Sequence, residues 1–231
     1  DKKQIQSYLK MSFRFVFFLA FPIMFGITSI SNAFVPVFFG AGYDKVIILI
    51  NIISPILLLM GLANVLGTQY LLPTKKQKEY TISVAIGLAF NFVLNYILIR
   101  KYQSIGASIA TVLSELIVVV IQYQYIKGEV SFKELCVLAW KYFFAGIMMF
   151  AVCFGIRFVL NINAVIDLQE SLAKAISMNK EYFINVVAII IQMVIGALTY
   201  FVTLIILKDD YVFRFIEKIK GKLFKKEKVA E

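Results

Sequence analysis

TISVAIGLAFNFVLNYILIRKYQSIGASIATVLSELIVVVIQYQY, residues 81–125, holds two long apolar runs, 81–99 and 105–125, parted by a short polar stretch. A hydrocarbon core about 30 Å thick takes about 20 residues of helix to cross, so each run is long enough to span. Lipid leaves the backbone polar groups no partner outside their own segment, so each run reads as a helix. The tight connection at 100–104 makes the pair an antiparallel helical hairpin.

Four further runs of the same kind flank the hairpin, at 13–39, 46–72, 135–160 and 182–207. With 61% hydrophobic residues and a mean hydropathy of +0.83, the chain is too apolar for a soluble domain of its size. The fold class is therefore an all-α integral membrane protein with six transmembrane helices over 1–207 and a basic tail over 208–231. The chain starts at Asp1 rather than Met, with no cleavable signal peptide ahead of the first run, and is expected to be part of a longer one. Histidine is absent, which removes the commonest zinc ligand and general base. Cys136 and Cys153 both fall in the fifth run without CxxC spacing, and are expected as buried apolar thiols.

The formal charge of +10 raises nucleic acid as a partner, but the charges are distributed by topology instead. Lys2, Lys3, Lys10 and Arg14 precede or open the first run. Lys75, Lys76 and Lys78 follow the second, and Lys127 and Lys133 the fourth. Eight basic residues from Lys208 to Lys228 follow the sixth, while the intervening loops are sparsely basic. This alternation obeys the positive-inside rule and predicts cytoplasmic termini. In the tail, Tyr211, Val212, Phe215, Ile216, Ile219 and Leu223 recur at helical spacing among lysines, behind Asp209 and Asp210 at a favourable helix start. That pattern predicts an interfacial helix on an anionic leaflet, with a protein-docking helix as the alternative. Val165, Leu168, Leu172, Ala175 and Ile176 allow a short amphipathic helix in the 161–181 connection.

Polar residues inside the runs are the candidates for function. Glu115 lies near the middle of the fourth run, where a carboxylate is expensive and faces a bundle interior or an aqueous cavity. It is either a cation- or proton-coupling group or a structural acid bonded to a neighbouring helix. Asn91 and Asn95 are one turn apart on one face of the third run. Counting from the turn sets Asn91 against Thr111 and Asn95 against Ala107. Two amide oxygens, a hydroxyl and a backbone carbonyl could hold a hard cation, or the amides could zip the helices together. Gly106, Ala110 and Ser114, four residues apart, allow close helix packing. Pro22 and Pro55 interrupt runs one and two, either as in the bent helices of transporters or as passive kinks. Arg14 and Lys141 belong near the cytoplasmic boundary and Arg157 near the outer one. Each either snorkels to headgroups or lines a cavity, where guanidinium suits phosphate.

Residues 61–115, GLANVLGTQYLLPTKKQKEYTISVAIGLAFNFVLNYILIRKYQSIGASIATVLSE, resemble the C-terminal half of bacterial polysaccharide (O-antigen-type) flippases. These belong to the multidrug/oligosaccharidyl-lipid/polysaccharide transporter superfamily. The carrying elements are Gln-Tyr-Leu-Leu-Pro at 69–73, a lysine-rich loop, the Asn91/Asn95 helix, a short turn, Gly-Ala-x-Ile-Ala-Thr at 106–111, and Glu115. Phe21-Pro22 and Phe39-Gly40 with Tyr43 also fit.

The resemblance implies most of the C-terminal lobe of a two-lobed transporter of twelve to fourteen helices, with a central cavity that alternates access. It implies a cargo of polyprenyl-diphosphate-linked oligosaccharide, moved from the inner to the outer leaflet of a bacterial cell membrane. The expected partners are the bilayer, that lipid-linked oligosaccharide and the N-terminal lobe of the same protein. Some lipid II flippases of the superfamily have a sodium site, and Asn91, Asn95, Ala107 and Thr111 match its arrangement. No cofactor is expected beyond Na+ or H+ as a coupling ion. An exporter of drugs or other small molecules is the alternative within the same superfamily. An enzyme is disfavoured, because the loops are short and lack histidine.

Overall fold

The computed structural model describes residues 2–160 and 179–213. Among them every regular element is helical. α1 is Lys2–Phe39, α2 is Asp44–Ile53, α3 is Ile56–Ala63, α4 is Gln77–Ile126, α5 is Phe132–Leu160 and α6 is Lys180–Ile206. A π-helical segment, Asn64–Leu71, continues α3.

Among the described residues, five helical stretches are long and apolar enough to cross a membrane. The third of these, α4, has 50 residues, about 75 Å of helix and far more than one crossing needs. It reverses at Gln103, whose φ of 52° and ψ of −127° leave the helical region, so α4 consists of two arms, 77–102 and 104–126. The six expected crossings are thereby present. Polarity is arranged as lipid demands: Phe92 is 74% exposed, whereas Gln122 and Gln192 are each 1% exposed.

α1 is the organising helix. It starts well before residue 13 and, at 38 residues, is about 57 Å long, so one end projects past a 30 Å core. Lys10 on this projection pairs with Glu134 at 3.0 Å. Glu134 belongs to a capping box that starts α5. Its carboxylate accepts from the Ser131 N–H at 3.1 Å, and its own N–H donates to the Ser131 hydroxyl oxygen at 3.3 Å. Farther along, Phe13, Phe17, Phe21 and Phe25 form a ladder with ring centroids 6.3, 5.9 and 6.4 Å apart. Phe13, Phe17, Phe18 and Phe21 are buried in a core with Tyr142, Ala145 and Met149 of α5 and Tyr200 and Leu204 of α6. α2 and α3 also pack on α1, and α4 packs on them in turn.

The two prolines singled out in the sequence behave differently. Pro55 lacks an N–H and breaks the second crossing into α2 and α3. Pro22, like Pro36, lies inside a continuous α1. It leaves the Phe18 carbonyl without its helical donor, and the Tyr200 hydroxyl of α6 donates there instead, at 3.0 Å.

The hairpin arms are tightly packed, as the small-residue stripe predicts. Gly106 lies against the Leu98 carbonyl, where a methyl group would collide with backbone. Gly87 lies against Val118, and the Gln122 amide donates to the Ser83 hydroxyl at 3.2 Å. These contacts set the register. Asn91 is level with Ser114 rather than Thr111, and Asn95 with Ala110 rather than Ala107. The reason is local: the first arm stays helical through Tyr102 and the chain reverses at one residue, so the turn lies later than the middle of the polar stretch.

Cys153 is buried as expected, but Cys136 is exposed, because it lies in the first turns of α5. Asp209 starts a final helical turn at 210–213 by accepting from the Tyr211 and Val212 N–H groups at 3.1 and 3.2 Å. The rest of the tail helix, and the helix expected over 165–176, lie outside the described residues.

Candidate functional site

The four residues of the sequence-derived cation site form two separate pairs. Asn95 Nδ2 donates to Asn91 Oδ1 at 2.9 Å within the first arm. Thr111 Oγ1 donates to the Ala107 carbonyl, also at 2.9 Å, within the second. No hydrogen bond among these four residues crosses the hairpin. The cross-arm polar link lies nearer the lysine-bearing end, between Gln122 and Ser83.

Glu115 shares its arm with Thr111 but faces α3 and the π segment, together with Met60, Asn64 and Thr68. In the π segment the Leu72 N–H donates to the Gly67 carbonyl, five residues back, at 3.1 Å. Gly67 is required there. A Cβ at that position would lie 2.6 Å from the Tyr80 ring and 3.1 Å from Gln122 Nε2. The π geometry thus brings backbone, Tyr80 and Gln122 into close contact beside Glu115.

The three basic candidates are distributed among different environments. Arg14 is half-buried on α1 and lies close enough to Tyr142 of α5 to interact with it electrostatically. Lys141 donates to the Lys208 carbonyl at 3.0 Å, tying α5 to the end of α6. The next residue, Tyr142, donates to Asp209 at 3.1 Å, so α5 holds the end of α6 through two adjacent side chains. Arg157 is half-buried in the last turn of α5.

Two polar clusters escaped the sequence reading. Between α1 and α2, the Thr28 and Ser54 hydroxyls meet at 3.1 Å and Ser31 donates to Asn51 Oδ1 at 3.2 Å. Both contacts flank the Pro55 break. Between α5 and α6, Gln192 Nε2 donates to the Cys153 carbonyl at 3.0 Å, and the Cys153 thiol donates to the Gln192 carbonyl at 3.5 Å. Gln192 borders a groove of about 250 Å³ whose other walls include Pro22, Gly26, Ser29 and Met149. The available signal for the second cluster was Gln192, a glutamine within an apolar run. Among the described residues, no three His, Cys, Asp or Glu side chains gather where they could hold a metal ion.

The fold and these intramembrane polar groups define the chain as an all-helical, multi-pass membrane protein. Two curated relatives match it. It is 25% identical over 169 residues to the probable low-salt glycan biosynthesis flippase Agl15 of Haloferax volcanii, covering 73% of this chain and 35% of that protein. It is 32% identical over 100 residues to the putative O-antigen transporter of Escherichia coli K12, covering 43% of this chain and 24% of that protein. The chain therefore spans only about a third and a quarter of the relatives it matches. No protein-family description matches it, and no solved structure does. The two relatives support a polysaccharide-flippase-type protein, in agreement with the resemblance carried by residues 61–115.

Proposed function

We propose that this chain is part of one lobe of a flippase that moves polyprenyl-diphosphate-linked oligosaccharide from the inner to the outer leaflet. The observation that carries the reading is the match to two proteins named for glycan flipping and O-antigen transport. The helical architecture suits a carrier. Its crossings are bent at Pro55 and wound as a π segment at Asn64–Leu71, the kind of interruption from which transporter sites are built. Both ends of the chain are cytoplasmic in this reading, in a bacterial cell membrane, with the remaining helices of the transporter completing the cavity.

Work is done by binding and conformational exchange, without covalent chemistry. Arg14, expected near the cytoplasmic boundary where the cargo is taken up, is the basic side chain we assign to the diphosphate, and its guanidinium presents paired donors. Lys141 holds the end of α6.

Deleting the gene for the full-length protein tests the reading. Surface polysaccharide should be lost while its lipid-linked precursor accumulates. Normal polysaccharide with altered drug tolerance would favour a small-molecule exporter instead.

A further inference from the structure

Resting on the flippase reading, we propose that Asn64, Thr68 and Gln69 of the π segment form a sugar-recognition strip, and that the groove beside Gln69 seats one sugar ring of the cargo.

The strip exists because of the helix type. At 3.6 residues per turn, an α-helix sets residues five apart about 140° from each other around its axis. The wider π turn brings residues 64 and 69 to one side, where Gln69 Nε2 donates to Asn64 Oδ1 at 3.1 Å. Thr68 is exposed with them. Lipid offers such side chains no hydrogen bonds, so this flank is poorly suited to face it. Among the described residues, the second crossing is also the least buried of the five long stretches.

Gln69 borders a groove of about 220 Å³ together with Tyr8, Ser12 and Phe15 of α1 and with Tyr211. Drug-sized ligands take pockets of about 300–1,000 Å³, so this one suits a single small unit of a longer molecule. Tyr8 is 63% exposed and offers its ring. The electron-rich face of an aromatic ring packs well against the C–H face of a sugar. By the distribution of charge, the groove lies at the cytoplasmic ends of α1 and the π segment, where inner-leaflet cargo presents its sugars.

Unused hydrogen-bonding groups select the ligand. Asn64 Nδ2, Gln69 Oε1 and the hydroxyls of Thr68 and Ser12 have no partner among the described residues. They set donors and acceptors side by side without net charge. Sugar hydroxyls, which are donors and acceptors at once, match that set. No Lys or Arg lines the groove, so a phosphate finds no counter-charge there. A hard cation needs oxygens free to turn towards it, and Asn64 Oδ1 already faces an N–H of Gln69.

Binding to the purified full-length protein in nanodiscs tests the strip with two probes. One is the oligosaccharide released by mild acid from the cell's own lipid-linked pool. The other is a polyprenyl diphosphate that bears no sugar. Gln69→Leu and Asn64→Leu should each weaken oligosaccharide binding by about tenfold, the worth of one hydrogen bond, and leave the affinity for the diphosphate lipid unchanged. Thr68→Val, close to the original in shape, should do the same and covers the case of a Leu variant that does not fold. Tyr8→Phe should bind the oligosaccharide normally and Tyr8→Ala weakly, because the ring face is what it uses. Oligosaccharide affinity unchanged in the strip variants overturns the strip and leaves the flippase reading intact. A parallel loss of both probes also overturns it, as the mark of a packing role, and so does a wild-type protein that binds the lipid alone. A wild-type protein that binds neither probe overturns the flippase reading and the strip with it.

Discussion

The Tyr200 hydroxyl of α6 donates at 3.0 Å to the Phe18 carbonyl of α1, the acceptor that Pro22 leaves without a helical partner. One side chain from a distant crossing thereby repairs the defect that a proline makes in the longest-projecting helix. It also locks α6 to α1 in the middle of their shared core, where Tyr200 is 2% exposed.

This relationship predicts coupling between the two positions. Tyr200→Phe alone should destabilise the folded protein by about 1 kcal/mol, the value of a hydrogen bond inside a membrane. Pro22→Ala restores an N–H four residues after Phe18, so Tyr200→Phe should cost less in that background. Unfolding of the four proteins in detergent mixtures measures the cycle. Strictly additive effects would contradict the repair.

The hairpin register predicts which cysteines can be bridged. Disulfide formation needs Cβ atoms about 3.5–4.5 Å apart. Oxidation should therefore cross-link Asn91→Cys with Ser114→Cys more readily than with Thr111→Cys. A preference for the Thr111 pair, read by a mobility shift after cleavage between the arms, would restore the register counted from the loop alone.

Much of the architecture was legible beforehand, and the reasons are physical. Apolar length dictates a crossing in lipid, so the six runs and the hairpin could be read from composition and spacing. The small residues at 106, 110 and 114 identified the packed face, because close helix approach requires them. Side-chain pairing was less legible. The exact residue that turns the hairpin is set by one backbone conformation at Gln103, and moving it shifts every facing pair. Gln122 and Gln192 look like ordinary polar interruptions of apolar runs until three helices are brought around them. Pro22 reads as a break because its rescuing partner is 178 residues away along the chain, Tyr200.

The amide pair gives a further prediction. Asn91 and Asn95 bond to each other within one arm, so replacing both with Leu should cost about 1 kcal/mol of stability for the lost bond. Flux per folded molecule should keep its response to sodium. Loss of that response in a well-folded double variant would instead make the pair part of a sodium site.

Asp209 accepts three hydrogen bonds, from the Tyr142 hydroxyl and from the Tyr211 and Val212 N–H groups. Asp209→Ala removes a helix cap and a buried partner together, and should destabilise the protein by about 1–2 kcal/mol. Asp209→Asn, which keeps an acceptor oxygen, should cost less. Equal losses in thermal unfolding would contradict the capping role.

The central claim is that the full-length protein carries lipid-linked oligosaccharide between leaflets. The most direct measurement is the leaflet position of that lipid in spheroplasts, read with a lectin that cannot cross the membrane. On depletion of the protein, the lipid-linked oligosaccharide should accumulate and remain unreachable by external lectin, and re-expression should make it reachable. A precursor that stays fully reachable from outside throughout depletion would contradict the account.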